Sequence, residues 1–283
     1  MSLIFGLFAA LAWGFHDLCV RFAAPGRPVL PLLAVVLASG AVPVLALSGI
    51  EGGWPQMTPR AGGLSLAAGL AFALANISLY NAFAIGPVAL VAPIFGAYPA
   101  LTLLHAAATG RPAGPDQIAA VAAIILGVAL VARFSQDTTA DPARKRQAIL
   151  WACAGAFAFA ATFALSQAAG RAGGADSEWA TIALTRLSAL VVVILVVLPR
   201  LRHAFRAPMP WRLLLAMGLL DAGALSAVSL AARLPHPEFA AVTASVFGVV
   251  TILLARLVLG EHVRASQWAA IAMVFAAIAW LGL

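Results

Sequence analysis

The chain is built almost entirely from apolar runs long enough to cross a bilayer. Ten of them, bounded by Gly, Pro or charge, run roughly over residues 2–24, 29–49, 61–84, 87–109, 115–133, 147–170, 178–198, 209–232, 237–259 and 265–283. A hydrocarbon core about 30 Å thick takes about 20 residues of helix. Within it, only helices and closed barrels satisfy every backbone N–H and C=O without water. The ten-residue alternation of a barrel strand does not appear. Stretches such as Ala119–Val131 and Leu187–Leu198 are apolar on every face, as lipid contact requires. Only 17 Lys+Arg and 10 Asp+Glu serve 283 residues. A soluble domain, in which about a quarter of residues are charged, could not cover its surface this way. The expected fold is therefore all-α integral membrane, with ten transmembrane helices and almost nothing left for an extramembrane domain.

Two polar stretches interrupt the runs, FSQDTTADPARKRQ at 134–147 and PRLRHAFRAPMPWR at 199–212. The first divides the chain into residues 1–133, a polar linker 134–147, and residues 148–283. Shifted by 149 positions without a gap, Leu64–Ala106 lies over Leu213–Ala255 with twelve identities in 43 positions, among them Gly69/Gly218 and Thr102/Thr251. The Ala and Leu bias alone would give about four or five. Tyr98 falls on Phe247. The first two spans of each half match weakly. Five spans per repeat is an odd number, so the second half enters the bilayer from the opposite side. Two inverted five-helix repeats are the plan of secondary transporters, which expose a midplane site to each side in turn.

Basic residues sort by loop. Arg21, Arg27, Arg133, Arg144, Lys145, Arg146, Arg200, Arg202, Arg206, Arg212, Arg256 and Arg264 follow odd-numbered spans. Arg60, Arg111, Arg171 and Arg233 follow even ones. Twelve against four predicts odd loops in the cytoplasm and both termini outside. The surplus of positive charge is read as orientation, not as nucleic-acid binding, because aromatic-basic interleaving is missing.

Polar groups inside the spans are costly and usually face a cavity or a partner. In the first span Trp13, His16, Asp17 and Val20 share a face, and Asp17 is placed four residues from Arg21 to pair with it. His16 is deeper and lacks a partner in the local sequence. Asn76 and Tyr80 are four apart in the third span; Tyr98, Thr102 and His105 form a stripe in the fourth. The ninth span carries Phe247, Thr251 and Leu254 at the corresponding positions, and the sixth carries Phe159, Thr162, Phe163 and Ser166. Aromatics and hydroxyls on facing helices suit a flat, partly apolar ligand, though Ser and Thr also serve as plain interhelical contacts. Asp221 and Arg186 lie at similar depth in the eighth and seventh spans, so a contact between them is expected, either structural or as a gate or coupling site. Pro93, Gly96 and Pro99 weaken the fourth span, and Gly248 stands opposite Pro99 in the ninth.

Motifs for other chemistry are missing. The sequence has no phosphate loop, no H-E-x-x-H and no G-x-S-x-G elbow. Cys19 and Cys153 sit in apolar runs, far from a CxxC spacing. Neither catalytic residue, metal nor cofactor is expected. The expected partners are a small-molecule substrate and the lipid bilayer, with the protein acting as a monomer. A channel is the alternative, but two unlike halves do not readily supply rings of like polar groups.

Ten spans in a five-plus-five repeat, Trp13-Gly14 in the first span and Gly260-Glu261 closing the ninth resemble the EamA-type drug/metabolite transporter superfamily. Departures are Arg111 after Gly110, where the family carries Glu, and the missing Arg at the start of the second span; Arg186 sits where its seventh-span counterpart would be. Among its branches the chain looks most like the bacterial aromatic amino-acid exporters (YddG-like). The resemblance implies a multi-pass protein of the bacterial inner membrane, exporting amino acids, aromatic ones favoured, or otherwise drugs or other metabolites. It also implies both termini inside, against the charge count. His16, Asn76, Tyr80, Tyr98, Phe163 and Phe247 are the expected substrate contacts, in a cavity lined by spans one, three, four, six, eight and nine. Asp17, Arg186, Asp221, Pro99 and Gly248 are the expected gating or coupling positions. Proton coupling and facilitated diffusion fit the sequence equally.

Overall fold

A computed structural model describes residues 2–101, 104, 114–134, 142–174, 176–197, 199, 208–231 and 238–281. Among these residues there is helix and turn but no strand. The helices are α1 (Ser2–Ala23), α2 (Val29–Glu51), α3 (Pro59–Ile85), α4 (Val88–Gly96), α5 (Pro115–Phe134), α6 (Pro142–Ala172), α7 (Glu178–Val197), α8 (Trp211–Ala231), α9 (Glu238–Ser245), α10 (Phe247–Leu259) and α11 (Ala265–Leu281). Seven of them, α1, α2, α3, α5, α6, α7 and α8, are long and apolar enough to cross a membrane. Shorter apolar helices over Val88–Leu101, Thr243–Leu259 and Ala265–Trp280 occupy the other three expected runs. Thr102, His105, Gly110, Arg111, Arg200, Arg202, Arg206 and Arg233 lie outside the described residues.

The outer surface is apolar. Leu3, Ile4, Leu7, Phe8 and Leu11 form an exposed stripe on α1, and Leu66, Leu70 and Leu74 do the same on α3. In water such stripes would be an aggregation hazard; against lipid tails they are the expected covering. The interior holds the polar groups, with His16, Asp17, Asn76, Arg186 and Asp221 all buried.

Helix pairing follows a regular scheme. α3 packs on α6 and α7, while α8 packs on α1 and α2. α2 pairs with α7, α4 with α10, and α5 with α11; α1 lies along α9 and α10, and α6 along α4. Small residues set the closest approaches. A Cβ on Gly218 would collide with Ser39 Oγ and the Val36 carbonyl of α2; one on Gly69 would collide with the Thr185 carbonyl and Ser188 of α7.

Two sequence expectations shift. α6 starts at Pro142, so Arg144, Lys145 and Arg146 of the expected linker lie on helix; proline fits the first helical turn, where its missing N–H costs nothing. The weak points of the fourth and ninth spans fall at Ala97 and Val246, two residues before Pro99 and Gly248. Pro99 cannot donate to the carbonyl four residues back, so the discontinuity lies upstream of the ring. Pro93 frees the Ala89 carbonyl in the same way, and Gln267 Nε2 donates to it at 3.1 Å. Gly248 has a packing reason: a Cβ there would lie 2.7 Å from the Phe275 ring, and one on Gly96 would meet the same ring at 3.7 Å.

Candidate transport site

Charge at depth is concentrated where α1, α7 and α8 meet. Arg186 is eight residues into α7 and Asp221 ten residues into α8, so both lie about 12–15 Å from a helix end. Arg186 Nη2 donates to Asp221 Oδ2 at 2.8 Å, with the side chains 0% and 4% exposed. The contact expected from the sequence is present. Trp13 Nε1 donates to the other carboxylate oxygen at 3.0 Å. The Arg186 guanidinium also lies 5.6 Å from the centroid of the Phe72 ring, within cation–π range. Its space exists because position 40 is glycine; a Cβ there would come within 2.8 Å of Nη1. Even so, Arg186 Nε and Nη1 have no hydrogen-bond partner among the described residues. Each buried donor left unmatched costs about 1–3 kcal/mol.

A second polar chain lies nearer the C-terminal ends of α1 and α3. His16 Nδ1 is 3.0 Å from Asp17 Oδ1, and His16 Nε2 is 3.1 Å from the Tyr80 hydroxyl. All three residues are buried, and Asp17 Oδ2 has no partner among the described residues. The expected Asp17–Arg21 pair does not form. Asp17 is buried and engaged by His16, while Arg21 is drawn to groups from other segments of the chain. Arg21 instead reaches Glu261 at 3.5 Å and the Phe83 carbonyl at 3.4 Å. Asn76 donates to the Phe72 carbonyl of its own helix at 3.0 Å. Thr162 and Thr251 likewise back-bond to Ala158 and Phe247, each at 2.9 Å.

The aromatic residues gather beside the charged pair. Tyr98 stacks on Phe163 with centroids 5.2 Å apart and planes 11° from parallel. Phe159 meets Phe163 at 4.8 Å and Tyr98 at 5.0 Å edge-on, and Phe95 at 5.2 Å with the planes tilted by 39°. Trp13 closes the group, 5.7 Å from Phe159, 6.4 Å from Phe163 and 6.0 Å from Phe247. Tyr98 and Phe163, expected to line the cavity, pack on each other, and Phe247 packs on Trp13 and Phe95. Trp13 is the joint, with its N–H on Asp221 and its ring edges on the aromatic group.

Gly260 and Glu261 have a mechanical role. Gly260 ends α10 in the left-handed region at φ +66, where a Cβ would be strained. The turn sends the Glu261 carboxylate to the start of α4, where it accepts from Val88 N at 3.0 Å and Ala89 N at 3.5 Å. An anion on the free N–H groups of a helix start is favoured by both hydrogen bonding and the helix dipole.

The sequence pattern of the EamA-like transporter family matches residues 1–133 and 146–283. The chain belongs to that family. This EamA-like transporter is accordingly a membrane transporter and not an enzyme. A search of curated proteins gave no match. A solved crystal structure overlays with a TM-score of 0.70 at 16% identity, covering 99% of this chain and 95% of that one. At that identity the likeness concerns the fold alone.

Sequence reasoning placed His16, Asn76, Tyr80, Tyr98, Phe163 and Phe247 in the site; in the transporter His16 meets Tyr80, Asn76 bonds the Phe72 carbonyl of its own helix, and the other three share the aromatic group. It missed Trp13, Phe95 and Phe72 as participants. Trp13 shares the polar face of the first span with His16 and Asp17, but that spacing gives no sign that its N–H reaches Asp221, 208 residues away. Phe95 is three residues before Tyr98, a spacing that marks the same face. Phe72 offered no signal, because an isolated Phe in an apolar span is indistinguishable from core.

Proposed function

We propose that this protein exports aromatic amino acids by alternating access of two inverted five-helix halves, each contributing to one site at mid-depth. The observation that carries the proposal is the joining of a buried ion pair to an aromatic group through Trp13. An amino acid with an aromatic side chain has the same division into charged and flat apolar parts. His16, Asn76, Tyr80, Tyr98, Phe163 and Phe247 are proposed substrate contacts, with Trp13 and Phe159 added. Asp17, Arg186 and Asp221, together with the breaks beside Pro99 and Gly248, are proposed as the parts that rearrange.

The inverted arrangement is supported by the exchange of helix pairs. Relating α1–α5 to α6–α11 converts the α3–α7 contact into α8–α2 and the α3–α6 contact into α8–α1. At the 149-residue shift, Gly69 against Thr185 and Ser188 becomes Gly218 against Val36 and Ser39. The breaks at Ala97 and Val246 are related by the same shift. The 149-residue register is thus kept in the second and seventh spans, where sequence identity is weak. Arg21 at the end of α1, Phe83 near the end of α3 and Glu261 just past α10 meet at the start of α4. Such a meeting on one side suits an even number of crossings between the ends of the first, third and ninth spans.

The multi-pass chain is proposed for a bacterial inner membrane with both termini outside, following its basic residues. A C-terminal reporter active only in the cytoplasm, if it gave signal, would reverse that orientation. The transport test is counterflow in proteoliposomes. Vesicles preloaded with L-phenylalanine are expected to accumulate external labelled L-phenylalanine transiently and saturably. Flux that stays linear with concentration and shows no counterflow would indicate a channel, and failure of every aromatic amino acid to move or compete would remove the substrate assignment.

A further inference from the structure

The Arg186–Asp221 pair has more binding capacity than it uses. A guanidinium presents five N–H donors and a carboxylate about four acceptor positions. Arg186 spends donors on one oxygen of Asp221 and leaves Nε and Nη1 unmatched, although it is completely buried. Structural ion pairs in apolar surroundings are normally surrounded by groups that complete their hydrogen bonding. Nothing among the described residues completes this one. The carboxylate, by contrast, is anchored independently of the arginine, because Trp13 holds Oδ1 from the other side. The two charges are therefore mounted on different supports, Arg186 on α7 against Phe72 and Asp221 on α8 against Trp13 of α1. They can part without either losing all its neighbours.

We infer that Arg186 and Asp221 form a split zwitterion site. A substrate carboxylate takes the donors of Arg186 and a substrate ammonium takes the place of the guanidinium on Asp221. This deepens the proposed transport site and rests on that reading. Charge bookkeeping selects the ligand. The empty pair is neutral, and inserting a zwitterion keeps every charge matched. A carboxylate without an ammonium would leave Asp221 unopposed, and an amine without a carboxylate would leave Arg186 unopposed. The neighbouring His16 and Asp17, 3.0 Å apart, are engaged with each other and stand outside this exchange. The α-carbon then lies beside Trp13, whose ring edges face Phe159 and Phe247, so the side chain is directed into the aromatic group.

The test compares three ligands of one shape on wild-type protein in proteoliposomes: L-phenylalanine, 2-phenylethylamine and 3-phenylpropionate. Each is assayed as a competitor of labelled L-phenylalanine counterflow. The zwitterion is expected to compete about 100-fold better, or more, than either analogue, because each analogue leaves one buried charge without its partner. Asp221→Asn should then narrow the gap between L-phenylalanine and 3-phenylpropionate while leaving that for 2-phenylethylamine. Equal competition by all three in the wild type overturns the inference but leaves aromatic transport standing. Absence of any L-phenylalanine counterflow overturns the transport reading itself, and the inference with it. The wild-type comparison decides even where Asp221→Asn does not fold. Where it folds, an unchanged ranking of the three ligands counts against the split site.

Discussion

The central ion pair allows a quantitative test of how the bundle is held. In the structure Arg186 and Asp221 are 0% and 4% exposed and 2.8 Å apart. Removing one partner strands the other charge in an apolar interior, which costs about 3–5 kcal/mol. Arg186→Leu leaves Asp221 with only the Trp13 indole, and Asp221→Asn leaves Arg186 without a counter-charge beside the Phe72 ring. Were the two effects independent, the double variant would lose about 6–10 kcal/mol. It should lose far less. Both charges are gone, Leu matches the Leu37 found 149 positions earlier, and the amide oxygen can still accept from Trp13. A residual loss of about 2 kcal/mol is expected from the amide N–H₂ that no longer has a partner. The coupling between the sites is therefore about 4 kcal/mol or more. Unfolding of purified protein in mixed detergent–SDS micelles, followed by tryptophan fluorescence, measures it. A double variant as unstable as the sum of the singles would refute the description of the pair as a desolvated, mutually dependent unit. Counterflow by the stable double variant should be lost, which separates the role of the pair in transport from its role in folding.

Other consequences are accessible with the same assays. Glu261→Ala removes the cap from the start of α4 and should cost about 1–2 kcal/mol, while Glu261→Gln keeps an acceptor and should cost under about 1 kcal/mol; equal losses would mean that the Arg21 contact dominates. Gly218→Ala and Gly69→Ala should each destabilise by about 1–3 kcal/mol, because the new methyl meets backbone of the neighbouring helix. Gly49→Ala, with nothing within 4 Å of its Cβ, should be neutral or stabilising, so thermal unfolding of the three variants checks the packing directly. Phe159→Leu conserves volume but removes four ring contacts. It should raise KM for L-phenylalanine about tenfold with folding nearly intact, and a KM that stays at the wild-type value would place the substrate elsewhere.

Much of this arrangement was visible in the sequence because membranes restrict the alternatives. Apolar runs become helices when no other backbone structure is tolerated, and the described helices follow the expected runs closely. Depth counted along two spans was enough to bring Arg186 to Asp221, since a buried charge must find its counter-charge. Local spacing did less well where the partner came from far away in the chain. Asp17 and Arg21 satisfy the four-residue rule, yet each bonds elsewhere: Asp17 meets His16, its neighbour in sequence, and Arg21 meets Glu261, which tertiary packing supplies. The break positions were placed two residues late for a related reason. A proline disrupts the turn that precedes it, so the residue seen in sequence is not the residue where the helix gives way.

On the proposed repeat, the symmetry of the backbone and the asymmetry of the side chains have different uses. The 149-residue shift relates Phe72 to Asp221 and Leu37 to Arg186, so the guanidinium stands between equivalent positions that carry a ring on one side and a carboxylate on the other. Two halves of like backbone can exchange conformations at little cost, which alternating access requires. Side chains obeying the same symmetry would present two identical subsites, and a single ligand with one charged end and one flat end could satisfy only one of them. Placing both formal charges of the central pair in the second half, and an aromatic ring and an aliphatic chain at the equivalent places in the first, gives the site a direction. The indole of Trp13 bridges the two kinds of surface, from the first helix of the first half. A ligand read this way is held in one orientation while the helices around it change sides.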